Sequence, residues 1–127
     1  MRIGLQLDPR GRPDIHAILR AFERAEREGF DAVWLGQVFD HDALTLLALA
    51  GLRTQRIELG TSVVPLPTRH PTALAQQALT TQLATDGRLC LGVGSGHPLI
   101  LERKLGLPAD DLVGRTREAL AVLRPLL

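Results

Sequence analysis

Apolar residues recur along this chain in two alternating rhythms. Four short runs have strand character: Ile3–Leu7, Phe30–Gly36, Arg56–Val64 and Arg88–Gly94. In the first, Ile3, Leu5 and Leu7 fall on one side and Gly4 and Gln6 on the other, the period of a strand. Between the runs the spacing turns helical. After a turn at Asp8–Pro13, Asp14 stands as an N-cap before Ile15, Ile18, Leu19, Phe22 and Ala25, and Gly29 offers a stop. Ala43–Leu52 is apolar all round, which suits a helix packed on two sides. Pro71 fits the first position of a third helix running through Ala84 to Gly87. His97–Pro108 has room for a short helical turn, and Asp110 or Asp111 opens a final helix with Leu112, Leu120 and Leu123 inward, ending at Leu127.

The order is therefore strand then helix, repeated, with strand starts about 26–32 residues apart. Consecutive units of this kind with buried strands define an α/β architecture with a parallel sheet, read here as one domain over residues 1–127. Two topologies compete. In the order 1-2-3-4 the crossovers place every helix on the same face, giving four βα units, half of a (β/α)8 TIM-type barrel with a bare inner face. In a small doubly wound parallel sheet, order 2-1-3-4, helices cover both faces.

Composition narrows the function classes. The formal charge is +1 with acids and bases interspersed, and there is no Tyr, which argues against nucleic acid as a partner. No apolar run approaches the ~18–20 residues of a membrane span, and the first residues lack a leader's apolar region. A single cysteine, Cys90, excludes an internal disulfide and favours a reducing, cytoplasmic location. Fourteen Arg against one Lys, with abundant Ala and Leu, suits a GC-rich bacterial source.

Candidate chemistry clusters after the strands. Gly92–His97, GVGSGH, follows a strand, and its glycines allow a ligand close to the backbone; the other reading is a plain strand-end turn. It is neither the dinucleotide fingerprint, which needs Gly where His97 stands, nor a nucleophile elbow around Ser95. His16, His41, His70 and His97 lack metal-ligand spacing. His16 reads as solvated and His70 as a cap for the third helix. His41 and His97 follow strands two and four, where imidazole could move a proton or merely hydrogen-bond. Trp34 and Cys90 read as core. Gln76, Gln77 and Gln82 form a polar stripe or a helical interface. One stretch is odd: Ile57–Gln77 leaves a strand through PLPTRHP, three prolines in seven residues.

GFDAVWLGQVF with HDALTLLALAG, then IELGTSVVP, RHPTALAQQALTTQ and GRLCLGVGSGHP, together resemble the luciferase-like flavin and deazaflavin oxidoreductases, with closer resemblance to the branch using coenzyme F420. The resemblance runs over essentially the whole chain and corresponds to the N-terminal half of a (β/α)8 barrel. It implies a bulge after the third strand with a cis peptide between Ser62 and Val63, supporting the coenzyme ring. It also implies that Gly94, Ser95, Gly96 and His97 form the loop beside the reactive ring edge, with His97 as proton donor and Gln37 binding ring or substrate. Relatives place an acidic donor at the His97 position, or an Asp-His pair where this chain has Gln37-Val38, so the donor assignment departs from theirs.

The implied activity is hydride transfer between F420 and a small organic substrate. FMN-dependent oxygenation on the same fold is the alternative. A non-catalytic half-barrel assembly module is a third reading. The coenzyme's phosphate tail is expected on later barrel loops. A homo-oligomer is expected, either a dimer through the second and third helices or a pairing of half-barrels.

Overall fold

The computed structural model describes residues 1–11 and 14–127. Among the described residues six strands and five α-helices follow one another: β1 Gly4–Leu7, α1 Ile15–Arg27, β2 Ala32–Leu35, α2 Ala43–Gly51, β3 Glu58–Thr61, β4 Val64–Pro65, α3 Pro71–Ala84, β5 Leu89–Cys90, β6 Val93–Gly94, α4 Pro98–Leu105 and α5 Leu112–Leu123, with a 3-10 turn at Leu66–Thr68. The last two positions of the turn expected at Asp8–Pro13 lie outside the described residues.

All strand pairs are parallel. The main sheet has the order β1-β2-β3-β5, and β4 pairs with β6 in a short continuation of the same two strands. This is the sequential order of a barrel wall, so the doubly wound alternative is corrected. Register explains why one face suffices for the helices. Leu5, Val33, Leu59 and Leu89 share a row. They pack with Ile18, Leu19 and Phe22 of α1 and Leu46, Leu47 and Ala50 of α2 into one core. A second core joins Leu74 and Ala75 of α3 and Leu123 of α5 to Leu44 and Val64. Phe22 is fully buried, and burying a side chain of that size contributes about 2–3 kcal/mol.

Local signals set most boundaries. The Asp14 carboxylate accepts the His16 N–H at 2.9 Å, Asp42 accepts the Thr45 N–H at 2.8 Å, and Asp111 accepts from Gly114 at 3.0 Å. His70 Nδ1 accepts from Thr72 N–H and Pro71 takes the first position of α3. Gly29 closes α1 at φ +86°.

Four expectations need correction. The third and fourth strands are each interrupted, because a bulge at Ser62–Val63 separates β3 from β4 and Leu91–Gly92 separates β5 from β6. The turn expected at His97–Pro108 is a full helix, α4, ended by Gly106 at φ +64°. The last helix ends at Leu123 rather than Leu127, and Arg124, Pro125 and Leu126 follow in turn conformation. Trp34 and Cys90 are half-buried, not core. They point with Gln6 and Gly60 to the face opposite the helices.

Two inter-element anchors were not legible in sequence. Glu26, at the end of α1, accepts the N–H groups of Gln55, Arg56 and Ile57, at 2.9, 2.6 and 3.0 Å. The Arg88 guanidinium donates to the carbonyls of Gly51, Thr54 and Ile57 and to the Thr54 hydroxyl, all at 2.9–3.0 Å. Together they tie the α2–β3 connection to its neighbours on both sides.

Candidate functional site

The carboxyl ends of β2, β3 and β5 meet around the Ser62–Val63 bulge, whose peptide bond is cis. Three backbone bonds fix the bulge. Ser62 N–H donates to Leu35 C=O at 2.6 Å, Gln37 N–H donates to Val63 C=O at 3.3 Å, and Val64 N–H donates to Gly92 C=O at 2.9 Å. Thr61 completes the clamp: its buried hydroxyl donates to Gly92 C=O at 2.7 Å and accepts Gly92 N–H at 2.8 Å. Both Ser62 and Val63 remain exposed, Val63 at 42%. An apolar side chain of that exposure on a hydrogen-bonded backbone forms a rigid, solvent-facing ledge.

Glycines are required around the ledge by contact. A Cβ on Gly92 would lie 2.0 Å from the Thr61 carbonyl oxygen, and a Cβ on Gly94 would lie 2.7 Å from Val63 Cγ2. These two strands can approach only without side chains at those positions.

The other expected residues are distributed as follows. Gln37 sits beside the ledge through its backbone, while its side-chain Oε1 accepts Ala43 N–H at 3.4 Å. Gly94 lies in β6 against Val63. Gly96 adopts φ +82° and turns the chain over Leu101, which is buried. His97 is exposed and is the N-cap residue of α4, where its side chain makes no capping bond. Ser95 lines a different space, a cavity of about 540 Å³ between Leu66–Pro71 and α5. The structure thus brings Gln37, Ser62, Val63 and Gly94 together; Ser95, Gly96 and His97 follow on the same rim.

The proline-rich corner is tied at its far end. Arg69, 15% exposed at its side chain, donates to Asp42 at 3.1 Å and to Gln77 Oε1 at 2.6 Å. Burial pushes the Asp42 carboxyl up, but the Thr45 N–H and hydroxyl and the Arg69 guanidinium outweigh it, leaving it below the ordinary carboxylate value. Loops two and three are therefore joined twice, at Gln37–Val63 and at Asp42–Arg69. Among the described residues, no group of three or more His, Cys, Asp or Glu is placed to hold a metal ion, and no helix is long and apolar enough to cross a membrane.

A sequential parallel sheet with its helices on one face is the wall of a (β/α)8-type barrel. Residues 1–127 match the family model described as luciferase-like monooxygenase, and the chain belongs to that family. It is 42% identical over 126 residues to a Mycobacterium tuberculosis protein named as a coenzyme F420-dependent oxidoreductase, covering 98% of this chain and 36% of that one. It superposes with a TM-score of 0.84 on the coenzyme F420 dependent tetrahydromethanopterin reductase from Methanopyrus kandleri, at 25% identity, covering 96% of this chain and 39% of that one. The oxygenating constituent of 3,6-diketocamphane monooxygenase from Pseudomonas putida, in complex with FMN, gives 0.84 at 23% identity, over 97% of this chain and 38% of that one. The fold is that of half a barrel, and the chain spans about a third of the length of the curated relatives it matches.

Proposed function

We propose that this chain supplies the ring-binding wall of an F420-dependent oxidoreductase, with the ring face resting on Ser62 and Val63. The ledge carries the reading: an exposed valine on a backbone held by Leu35, Gln37 and Gly92, with Gly94 leaving the neighbouring strand bare. The 42% identity to a protein named for that coenzyme supports F420 over FMN. When bound, F420 supplies a two-electron hydride carrier at its ring carbon, exchanging hydride with a carbon of a small organic substrate.

The chain's own groups do the rest. Val63 supports the ring, and Gly94 to Gly96 keep the rim open for close approach of the reacting atoms. Gln37 offers an amide at the ledge. His97, exposed on the same rim, exchanges the proton that accompanies the hydride at the substrate heteroatom. The phosphate tail rests on residues outside this wall. The protein works in the cytoplasm as a homodimer through α2 and α3, where Leu79 and Leu83 are exposed.

Fluorescence titration with F420 and with FMN tests the coenzyme. F420 should bind with the lower Kd, and tighter binding of FMN replaces this reading with FMN-dependent oxygenation. His97→Gln should lower kcat about 100-fold with F420 affinity unchanged, the size expected for loss of a positioned proton donor. Unchanged kcat removes His97 from the role.

A further inference from the structure

Loop two, residues 36–42, leaves β2 beside the ledge and ends at the N-cap of α2. It meets the proline-rich corner at both of its ends. At the near end Gln37 N–H donates to Val63 C=O at 3.3 Å, and at the far end Arg69 Nη2 donates to Asp42 Oδ1 at 3.1 Å. With side chains 15% and 33% exposed, Arg69 and Asp42 form the least exposed ion pair among the described residues. Each partner is fixed by a further contact. Arg69 Nη1 donates to Gln77 Oε1 of α3 at 2.6 Å, and Asp42 Oδ2 accepts the N–H and the hydroxyl of Thr45, both at 2.8 Å.

The two arms between these ties differ in stiffness. The corner runs from Val64, paired with Val93, through Pro65 and the 3-10 turn at Leu66–Thr68. Leu66 is buried, the Thr68 hydroxyl donates to Pro65 C=O at 2.7 Å, and Pro65 and Pro67 have fixed φ. Loop two is the softer arm, with Val38 and Phe39 about half exposed. Lys104 Nζ lies 5.4 Å from the centre of the Phe39 ring, and Asp40 accepts the Gly11 N–H at 2.8 Å. Water competes for exposed contacts of that kind.

We propose that Asp42 and Arg69 are positioning residues for the ring ledge: their pair braces loop two against the corner and keeps the Gln37–Val63 bond closed. This role rests on the ledge being the ring site. The pair acts through Gln37 and has no part in the proton or hydride exchange. A ledge held at both sides presents one geometry to a ring, so less ordering is left to the binding step.

Asp42→Asn separates the pair from the cap. An asparagine oxygen still serves Thr45, while its amide nitrogen sets a donor against the Arg69 donors. Arg69→Met breaks the pair from the other side. Amide hydrogen exchange is followed by NMR at Gln37, Ser62 and Val64 in wild type, both single variants and the double variant, and Kd is measured for F420 and FMN. Ser62 and Val64 donate to Leu35 and Gly92, not to loop two, and serve as internal controls. Loss of the pair should speed exchange at Gln37 about tenfold, with the two controls within about twofold of wild type. Ring affinity should fall about fivefold in each single variant and no further in the double, as for two residues acting as one unit. Unchanged exchange at Gln37 overturns the brace, and so does equal acceleration at all three amides or an additive loss in the double variant. If Arg69→Met does not fold, Asp42→Asn decides alone. Should wild type bind neither probe, the ledge reading falls and the positioning role falls with it; ring binding indifferent to both substitutions removes only the brace.

Discussion

Thr61 and Gly92 hold each other twice, the hydroxyl of one accepting the N–H and donating to the C=O of the other at 2.8 and 2.7 Å. A side chain thus replaces the ladder where the strands break, leaving Val64 to resume pairing with Val93. Thr61→Val keeps the shape but leaves the Gly92 N–H without this partner. It should destabilise the protein by about 2 kcal/mol in urea unfolding, with Thr61→Ser recovering most of that. Equal stability of Thr61→Val and wild type would mean the clamp contributes nothing.

Glu26 should make stability fall at mildly acid pH. Burial pushes its carboxyl up, but backbone N–H groups of Arg56, Ile57 and Gln55 outweigh that and leave it below its ordinary 4.5. A carboxyl more acidic when folded stabilises fully above the unfolded-state value and loses that stabilisation as pH drops through the folded-state value. Between about pH 5 and pH 3, Glu26→Gln should therefore show a shallower loss of melting temperature than wild type. Parallel pH profiles for the two proteins would contradict the assignment.

Arg88 faces three carbonyls and a hydroxyl, and among the described residues no carboxylate shares those contacts. Arg88→Met would strand the acceptors that close the α2–β3 connection, at a cost of about 3 kcal/mol or more. Arg88→Lys should recover only part, because an ammonium lacks the planar fork that reaches Gly51, Thr54 and Ile57 together. Guanidinium chloride unfolding separates the three proteins. Full recovery by Lys would show that charge alone matters.

What the sequence made legible was local. Asp14, His70 and Gly29 announced helix ends through their own chemistry, and the spacing of Ile18, Leu19, Phe22 and Ala25 announced a buried helical face. The parallel sheet followed from alternation alone. Its order did not, because strand neighbours depend on crossovers that leave no mark on composition. Trp34 shows a related limit: an apolar strand residue looks like core until register reveals which face it occupies. The anchors at Glu26 and Arg88 were hidden because their partners are backbone groups about thirty residues away, and backbone carries no sequence signature. The ledge came from resemblance rather than periodicity. Val63 and Gly94 are separated by thirty residues of chain and meet only through the pairing of β4 with β6.

The most direct measurement is an F420 fluorescence titration of wild type beside Gly94→Val and Val113→Ala. Gly94→Val drives a side chain toward Val63 Cγ2, where even a Cβ would lie at 2.7 Å; Val113→Ala changes an exposed position of α5 away from the ledge. If the ring rests on Ser62–Val63, wild type and Val113→Ala bind alike and Gly94→Val loses about tenfold or more, a change of ~1.4 kcal/mol. Identical binding curves for all three proteins, with Gly94→Val shown to be folded by circular dichroism, would contradict it.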